Sequence, residues 1–380
     1  MDDKATVSQK ETIFNADVYF ERLLADIRQA KTSIDLETYI YDPDLLGAEV
    51  ASALADAAAR GVQVRLLVDG IGTSNLGMLL GQMEAAGVTI RVFHPSPWSF
   101  WQWSRSNYQS FFVVKAVYFL SKINKRNHRK TCRIDENIAY VGSANISQKH
   151  LSKARGGEGW HDTIDRLAGF DTSDLKTAFD LAWKGFPIRE RIQKSFQKVD
   201  LNPVFRLNYS RHLRRVLYKS LLRRLSMATR RIWVTIAYFN PDFFLLKQLI
   251  KAAKRGVDVK IILPYQSDVF IMPIIATTFY TRLLKARVEV YEYLPNILHS
   301  KVLIIDDWYS IGSSNLNQRS LRHDLEVDVT IQTTEAEEML ESQFKESLTQ
   351  CRKIEFEDLH KQSFYKKYLG YLLLYGKYFL

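Results

Sequence analysis

The chain repeats itself, and that feature constrains its fold more than any other. Residues 26–68 run helix end, strand, a turn with Pro and Asp, helix, Arg-Gly-Val, strand, and residues 222–263 run through the same order. The strands are read from β-branched runs such as Val64–Val68 and Val259–Leu263. In Arg60-Gly61-Val62 and Arg255-Gly256-Val257 the glycine follows a helix, a place suited to the left-handed cap conformation. Strands alternating with helices predict an α/β fold, here two similar domains, each a mixed β-sheet flanked by helices. Two such domains need two cores, and 380 residues at 46% hydrophobic supply them.

The repeat continues into chemistry. Residues 128–145 read HRKTCRIDENIAYVGSAN and residues 299–315 read HSKVLIIDDWYSIGSSN. Each copy holds His-x-Lys, four residues, Asp, a short strand, then Gly-Ser-x-Asn. In an extended segment residues i and i+2 share a face, so His128 projects with Lys130 and His299 with Lys301. Packing of the halves about a pseudo-twofold axis brings two His, two Lys, Asn145, Asn315, Ser143 and Ser313 to one cleft. Such a set suits a phosphodiester. Lysines and amides stabilise charge building on the non-bridging oxygens. One imidazole can attack phosphorus while the other moves protons. No carboxylate cluster marks a metal site, so neither a metal nor another cofactor is expected.

These residues resemble the phospholipase D superfamily, from about residue 15 to about 345. Within it the chain is most similar to bacterial cardiolipin synthases, through Gly312-Ser313-Ser314-Asn315-Leu316-Asn317-Gln318-Arg319-Ser320, Leu325-Glu326-Val327, Tyr238-Phe239-Asn240-Pro241-Asp242 and Trp160-His161-Asp162-Thr163. His323-Asp324 stands where the family leads one to expect an apolar residue and Asn. The resemblance implies transfer of a phosphatidyl group between two phosphatidylglycerols, releasing glycerol and forming cardiolipin through a phosphatidyl-histidine. It implies the N-terminal histidine, His128, as nucleophile; the symmetry of the sequence leaves that choice open. It also implies an acid some thirty positions after each His that hydrogen-bonds the imidazole. Asp162, 34 positions after His128, and Glu326, 27 after His299, hold those places. The motif acids Asp135 and Asp306 read as structural.

The halves differ by one insertion. His128 follows Pro95 by 33 positions, whereas His299 follows Pro295 by 4. The extra segment, about 96–127, is aromatic and basic with no acid. Trp98, Trp101, Trp103, Phe111, Phe112 and Lys115 read as membrane contacts at the level of lipid headgroups. The net charge of +11 alone fits nucleic acid and anionic membrane equally. Its placement discriminates. Pro95–Arg133, Leu201–Pro241 and Leu359–Leu380 hold eight, nine and four basic residues and no acid, more than the whole surplus. All three are rich in aromatic residues or leucine, which favours membrane over nucleic acid.

The expected organisation is a first domain over 1–190, a second over 205–355, and an amphipathic membrane-contact tail over 356–380. No stretch reaches 18 uninterrupted apolar residues, so no transmembrane helix is expected. The chain should resemble the shorter branch without N-terminal spans, peripheral on the cytoplasmic face of a bacterial inner membrane and monomeric, since one chain carries both motif copies. Two alternatives use the same residues: hydrolysis of phospholipid to phosphatidic acid, and a phospholipase D-type nuclease. The remaining histidines, His150 and His161 among them, read as surface or local structural residues.

Overall fold

The structure, a computed structural model, describes residues 9–96, 98–106, 125–185, 200, 203–361 and 364–374. The first half contains β1 (Gln9–Ile13), α1 (Ala16–Gln29), β2 (Ser33–Thr38), α2 (Leu45–Ala59), β3 (Gln63–Asp69), α3 (Met78–Ala85), β4 (Thr89–Phe93), α4 (Phe100–Trp103), β5 (Thr131–Ile134), β6 (Ile138–Gly142), β7 (Ile164–Ala168) and α5 (Ser173–Lys184). Its seven strands are ordered β1-β7-β6-β5-β2-β3-β4. Strands β2, β3 and β4 run parallel, and the remaining pairs are antiparallel.

The second half contains β8 (Phe205–Leu207), α6 (Arg211–Met227), β9 (Arg231–Ile236), β10 (Phe239–Asn240), α7 (Phe243–Lys254), β11 (Asp258–Pro264), α8 (Ile271–Lys285), β12 (Glu289–Tyr293), β13 (Lys301–Ile305), β14 (Trp308–Gly312), β15 (Leu316–Asn317), α9 (Gln318–Arg322), β16 (Val327–Ile331), α10 (Thr334–Thr349), β17 (Cys351–Lys353), α11 (Phe356–Lys361) and α12 (Phe364–Leu373). The main sheet is ordered β17-β12-β11-β9-β13-β14-β16-β8. Leaving out the edge strand β17, it repeats the first sheet strand for strand.

Local chemistry explains the repeat. Asp44 caps α2 by accepting from the Gly47 N–H, and Asp242 caps α7 by accepting from Leu245. Gly61 and Gly256 follow the helices with φ of 91° and 94°, as the two Arg-Gly-Val steps predict. Each sheet buries one face under its first two helices: Leu23, Ile27, Val50 and Leu54 in the first half, Leu221, Leu225, Leu245 and Leu249 in the second. Between the sheets, Ala139, Val141 and Leu167 meet Val327, Val329 and Phe205 in one apolar cluster, so the halves share a core. C-terminal helix α12 lies on α8, where Gly370 closes against Ile274 and Thr278, while Leu369, Tyr371 and Leu372 remain exposed.

The motif acids act at this level. Asp135 and Asp306 both adopt φ of 50° just beyond β5 and β13. The Asp135 carboxylate accepts from the backbone N–H groups of Lys31, Thr32 and Ser33. Asp306 accepts from Thr229, Arg230 and Arg231. Each acid pins the turn before a central parallel strand to the end of its neighbour. Burial pushes the Asp306 carboxyl up, but the N–H groups of Arg231, Thr229 and Arg230 outweigh it and hold the carboxyl below its ordinary 3.8. Replacing Asp306 by Ala should cost roughly 1–3 kcal/mol, since it frees three backbone donors at once. Because the folded carboxyl is depressed, that loss is full above the ordinary carboxyl range and shrinks as pH falls below it. Denaturant titrations of wild type and Asp306→Ala at pH 7 and pH 3 measure both statements.

Candidate active site

The site sits where the halves meet, and its frame is backbone. The His128 N–H donates to the Leu325 carbonyl at 3.0 Å, and the His299 N–H donates to the His161 carbonyl at 2.8 Å. Asn127 bridges Leu325 and Leu298 bridges His161, both in parallel sense. Each histidine therefore starts its strand tied to the opposite half. The glycine of each Gly-Ser-x-Asn is required by close packing beside this frame. A Cβ on Gly142 would fall 2.7 Å from the Thr163 carbonyl oxygen, and one on Gly312 would fall 2.4 Å from that of Val327.

The orienting acids bond imidazoles, but crosswise. His128 Nδ1 lies 3.1 Å from both Glu326 oxygens, and His299 Nδ1 lies 2.9 Å from Asp162 Oδ1. Spacing along the chain pairs Asp162 with His128 and Glu326 with His299; the fold instead exchanges the partners. The reason is the frame just described, which seats each histidine against the segment that enters the other half's next strand.

The serines are also placed differently from expectation. Ser143 and Ser313 are fully buried, and neither lines the cleft. The Ser143 hydroxyl donates to Asp162 at 2.6 Å and accepts from the Thr163 N–H at 3.0 Å. The Ser313 hydroxyl donates to Glu326 and accepts from the Val327 N–H. Both hold carboxylates rather than face a phosphate. The asparagines do line the cleft. Asn145 Oδ1 accepts from the Ile40 N–H and Asn315 Oδ1 from the Tyr238 N–H, which turns each amide nitrogen into the remaining donor. Lys130 and Lys301 are buried, and each ammonium donates to the carbonyl of the histidine two residues earlier.

His128, His299, Asn145 and Asn315 share one cavity of about 390 Å³. Three residues in and around it lie outside the set of site residues expected from the motifs. His150, read as a local residue, is buried; its Nδ1 lies 2.6 Å from Asp162 Oδ2, and its Nε2 accepts from the Asn145 N–H. The signal was present, because His150 and Ser320 each stand five places after the motif asparagine, and Ser320 bonds Glu326 in the same way. Asp268, with Tyr238 donating to it at 2.6 Å, lines the cavity beyond any motif. Asp324, where the family pattern has Asn, accepts from the Arg126 N–H and from Arg319.

The surroundings set the charges. Burial, then Lys130 and Lys301, push the His128 imidazole well below 6.5. Burial and Lys301 lower His299 more than Asp162 supports it. Burial lowers Lys130 to about 7 and Lys301 to about 8. Burial also pushes Asp162 up, but the His150 and His299 imidazoles outweigh it and hold that carboxyl well below its ordinary range. Glu326, with hydroxyls where Asp162 has a second imidazole, is pushed up to about 7 by burial. One potential metal-ligand trio occurs among the described residues. His150, Asp162 and His299 present ligand atoms within 4.8 Å, and here both imidazoles direct Nδ1 at the carboxylate.

Of the expected membrane contacts, Trp98 is 78% exposed and Trp101 half-buried. Trp103 is 5% exposed, with its indole N–H on the Ser96 carbonyl, so it belongs to the core rather than to a docking surface. Its place on the inner side of the short helix α4 buries it. Phe111, Phe112 and Lys115 lie outside the described residues.

Comparison with known proteins follows the same outline. The family model described as cardiolipin synthase, PLD-like domain, matches residues 23–155 and again 221–348. Cardiolipin synthase B of Salmonella typhi is 31% identical over 85% of this chain and 76% of its own length. The cardiolipin synthase of Clostridium perfringens strain SM101 is 29% identical over 95% of this chain and 75% of its own. Among solved structures, phosphatidylserine synthase of Haemophilus influenzae superposes with a TM-score of 0.67 at 13% identity, covering 96% of this chain and 92% of that one, a likeness of fold.

Both motif imidazoles should be neutral in the free protein at pH 6.5. Nitrogen chemical shifts of labelled histidines, assigned through His128→Gln and His299→Gln, measure this; a cationic ring at either position at that pH contradicts the electrostatic account.

Proposed function

The chain belongs to the cardiolipin synthase, PLD-like domain family, and from that premise we propose that it is a phosphatidyltransferase that joins two phosphatidylglycerols into cardiolipin. The observation that carries this reading is the pair of imidazole–carboxylate couples facing one cavity with two amides.

In the first step His128 Nε2 attacks phosphorus of one phosphatidylglycerol. The N–P bond forms, the bond from phosphorus to the glycerol oxygen breaks, and His299 gives its proton to that oxygen. The free imidazole is held neutral; as the phosphodiester anion arrives, its charge lets His299 take up from solvent the proton it then donates, and the second step returns a proton to His299. In the second step His299 takes a proton from a hydroxyl of the second phosphatidylglycerol. That oxygen bonds phosphorus, the N–P bond breaks, and cardiolipin leaves. Glu326 and Asp162 fix the imidazole tautomers across the interface and support each imidazolium. Lys130, Lys301 and the amides of Asn145 and Asn315 stabilise the crowded phosphoryl oxygens. No metal is required in this scheme.

Membrane contact is part of the reading. Trp98 and Phe100, at the start of the insertion, are 78% and 86% exposed. Arg211, Arg215, Lys219 and Arg223 form an exposed basic row on α6 at four-residue spacing, suited to anionic lipid. The apolar residues exposed on α12 supply a third contact. No described helix is long and apolar enough to cross a membrane. We assign the chain a peripheral place on the cytoplasmic face of a bacterial inner membrane, acting as a monomer.

Phosphatidylglycerol liposomes with chelator present should yield cardiolipin and glycerol in equal amounts. Phosphatidic acid as the sole lipid product makes the chain a hydrolase instead, and dependence on a divalent ion overturns the mechanism. His128→Ala and His299→Ala should each lower turnover by about 10²–10⁴-fold or more. Phosphatidyl-enzyme should accumulate in the His299 variant only. Because the lysine pKa values are lowered, their charge is present below about 7 and lost above about 8. Phosphate binding should therefore weaken with rising pH, seen as kcat/KM falling across that window.

A further inference from the structure

A second cavity, of about 60 Å³, lies beneath helix α6 on the catalytic face of the second sheet. On this measure one water takes roughly 10–15 Å³, so the space fits a tetrahedral oxyanion. Two buried donors face it without a hydrogen-bond partner among the described residues: Arg206 Nη1 and Trp308 Nε1. Arg206 is 5% exposed, and its guanidinium lies 5.0 Å from the Trp308 ring centroid. Its other terminal nitrogen reaches only the Leu217 carbonyl, at 3.4 Å. Arg214 and Lys301 also line the cavity. One carboxylate is present, Asp328; it accepts from the Ser314 N–H and hydroxyl and lies near enough to Arg206 to offset part of its charge, without a hydrogen bond to Nη1.

The repeat sharpens the point. In the first half the matching space beneath α1 is filled and neutral. Asp26 receives Arg166 Nε at 2.8 Å and the Tyr140 hydroxyl, and Tyr19 packs beside it. The two helices align through their matching C-caps, Ala30 and Ala228. By that alignment Asp26 corresponds to Arg224, Ala16 to Arg214, and Tyr140 on the sheet to Ser310. The second half thus carries arginines where the first has an acid and an alanine, and a serine where it has a tyrosine; of these, Arg214 and Ser310 line the cavity. A buried guanidinium is costly unless a partner satisfies it.

We propose that this cavity is an oxyanion site, taking a phosphate group held by Arg206 Nη1 and Trp308 Nε1 with Arg214 and Lys301 at its edge. The site is distinct from the phosphoryl position between His128 and His299, although Lys301 stands between the two, and it does not depend on the reaction assigned there. Lys301 lines this cavity and donates to the His299 carbonyl, so an occupant is linked to the catalytic residues through one side chain. The phosphate could come from a lipid headgroup or from free phosphate; the chemistry recognised is the same.

Thermal unfolding of the full chain tests it, in a His128→Ala, Lys130→Ala background that cripples the other phosphate position. Inorganic phosphate, compared with chloride at matched ionic strength, should raise Tm by about 2–4 °C near saturation. Arg206→Gln should abolish the rise. Trp308→Phe, which keeps the packing and deletes one N–H, should weaken it about tenfold in apparent affinity. Short-chain phosphatidylglycerol below its micellar concentration, in place of phosphate, separates the sources. A rise with the lipid alone assigns a headgroup, and a rise with phosphate alone assigns the free anion. No rise with either probe, or a rise that both substitutions leave unchanged, overturns the proposal and leaves the donors to water.

Discussion

Two imidazole–carboxylate couples, formed crosswise between the halves, are the interaction on which the rest of the structure depends. His128 belongs to the first half and its acid, Glu326, to the second; His299 and Asp162 are exchanged in the opposite sense. Neither motif histidine bonds an acid of its own half. Backbone bridges from Asn127 to Leu325 and from Leu298 to His161 exist to make the exchange possible, and the apolar cluster between the sheets keeps those bridges in register. The duplicated sheet is therefore a device for bringing two copies of a short motif face to face. A motif glycine permits the close strand approach that puts a serine hydroxyl on each carboxylate.

The symmetry is strong in the backbone and broken in the side chains, and the breaks separate the two couples. Asp162 accepts from His150, Ser143 and His299, which keeps it anionic. Glu326 has Ser320 where Asp162 has His150, and burial carries it to about 7. The couples thus differ in how firmly each holds a charge on its imidazole. That is a physical basis for the unequal roles proposed for the two histidines. A second break lies under α6, where Arg206 and Trp308 face a cavity that tyrosines fill in the first half.

Much of this was legible in the residues. The paired motifs located both histidines and both asparagines on the same cleft; the two lysines, which alternation places with the histidines, are buried and give their ammonium groups to the histidine carbonyls instead. The likeness of the two sheets followed from the repeat. The exchange of acids was not legible, since spacing along a chain cannot distinguish a partner in the same half from its symmetry mate. Ser143 and Ser313 were misplaced because a hydroxyl next to a motif reads as a ligand, whereas the nearest unsatisfied acceptor is a buried carboxylate. Trp103 read as interfacial from composition alone, but an aromatic cluster in a short helix always has an inner side. His150 could have been found by comparing the position five places after each asparagine, where Ser320 stands in the second copy.

The central claim is that the halves share one site through exchanged couples, and double-mutant cycles on turnover of phosphatidylglycerol vesicles test it most directly. The pairs are His128 with Glu326 and His299 with Asp162, against the in-half pairs His128 with Asp162 and His299 with Glu326. The account predicts strong non-additivity for both crossed pairs, with a second substitution adding little once its partner is gone, and smaller coupling for the in-half pairs. Stronger coupling within each half than across the interface would contradict it.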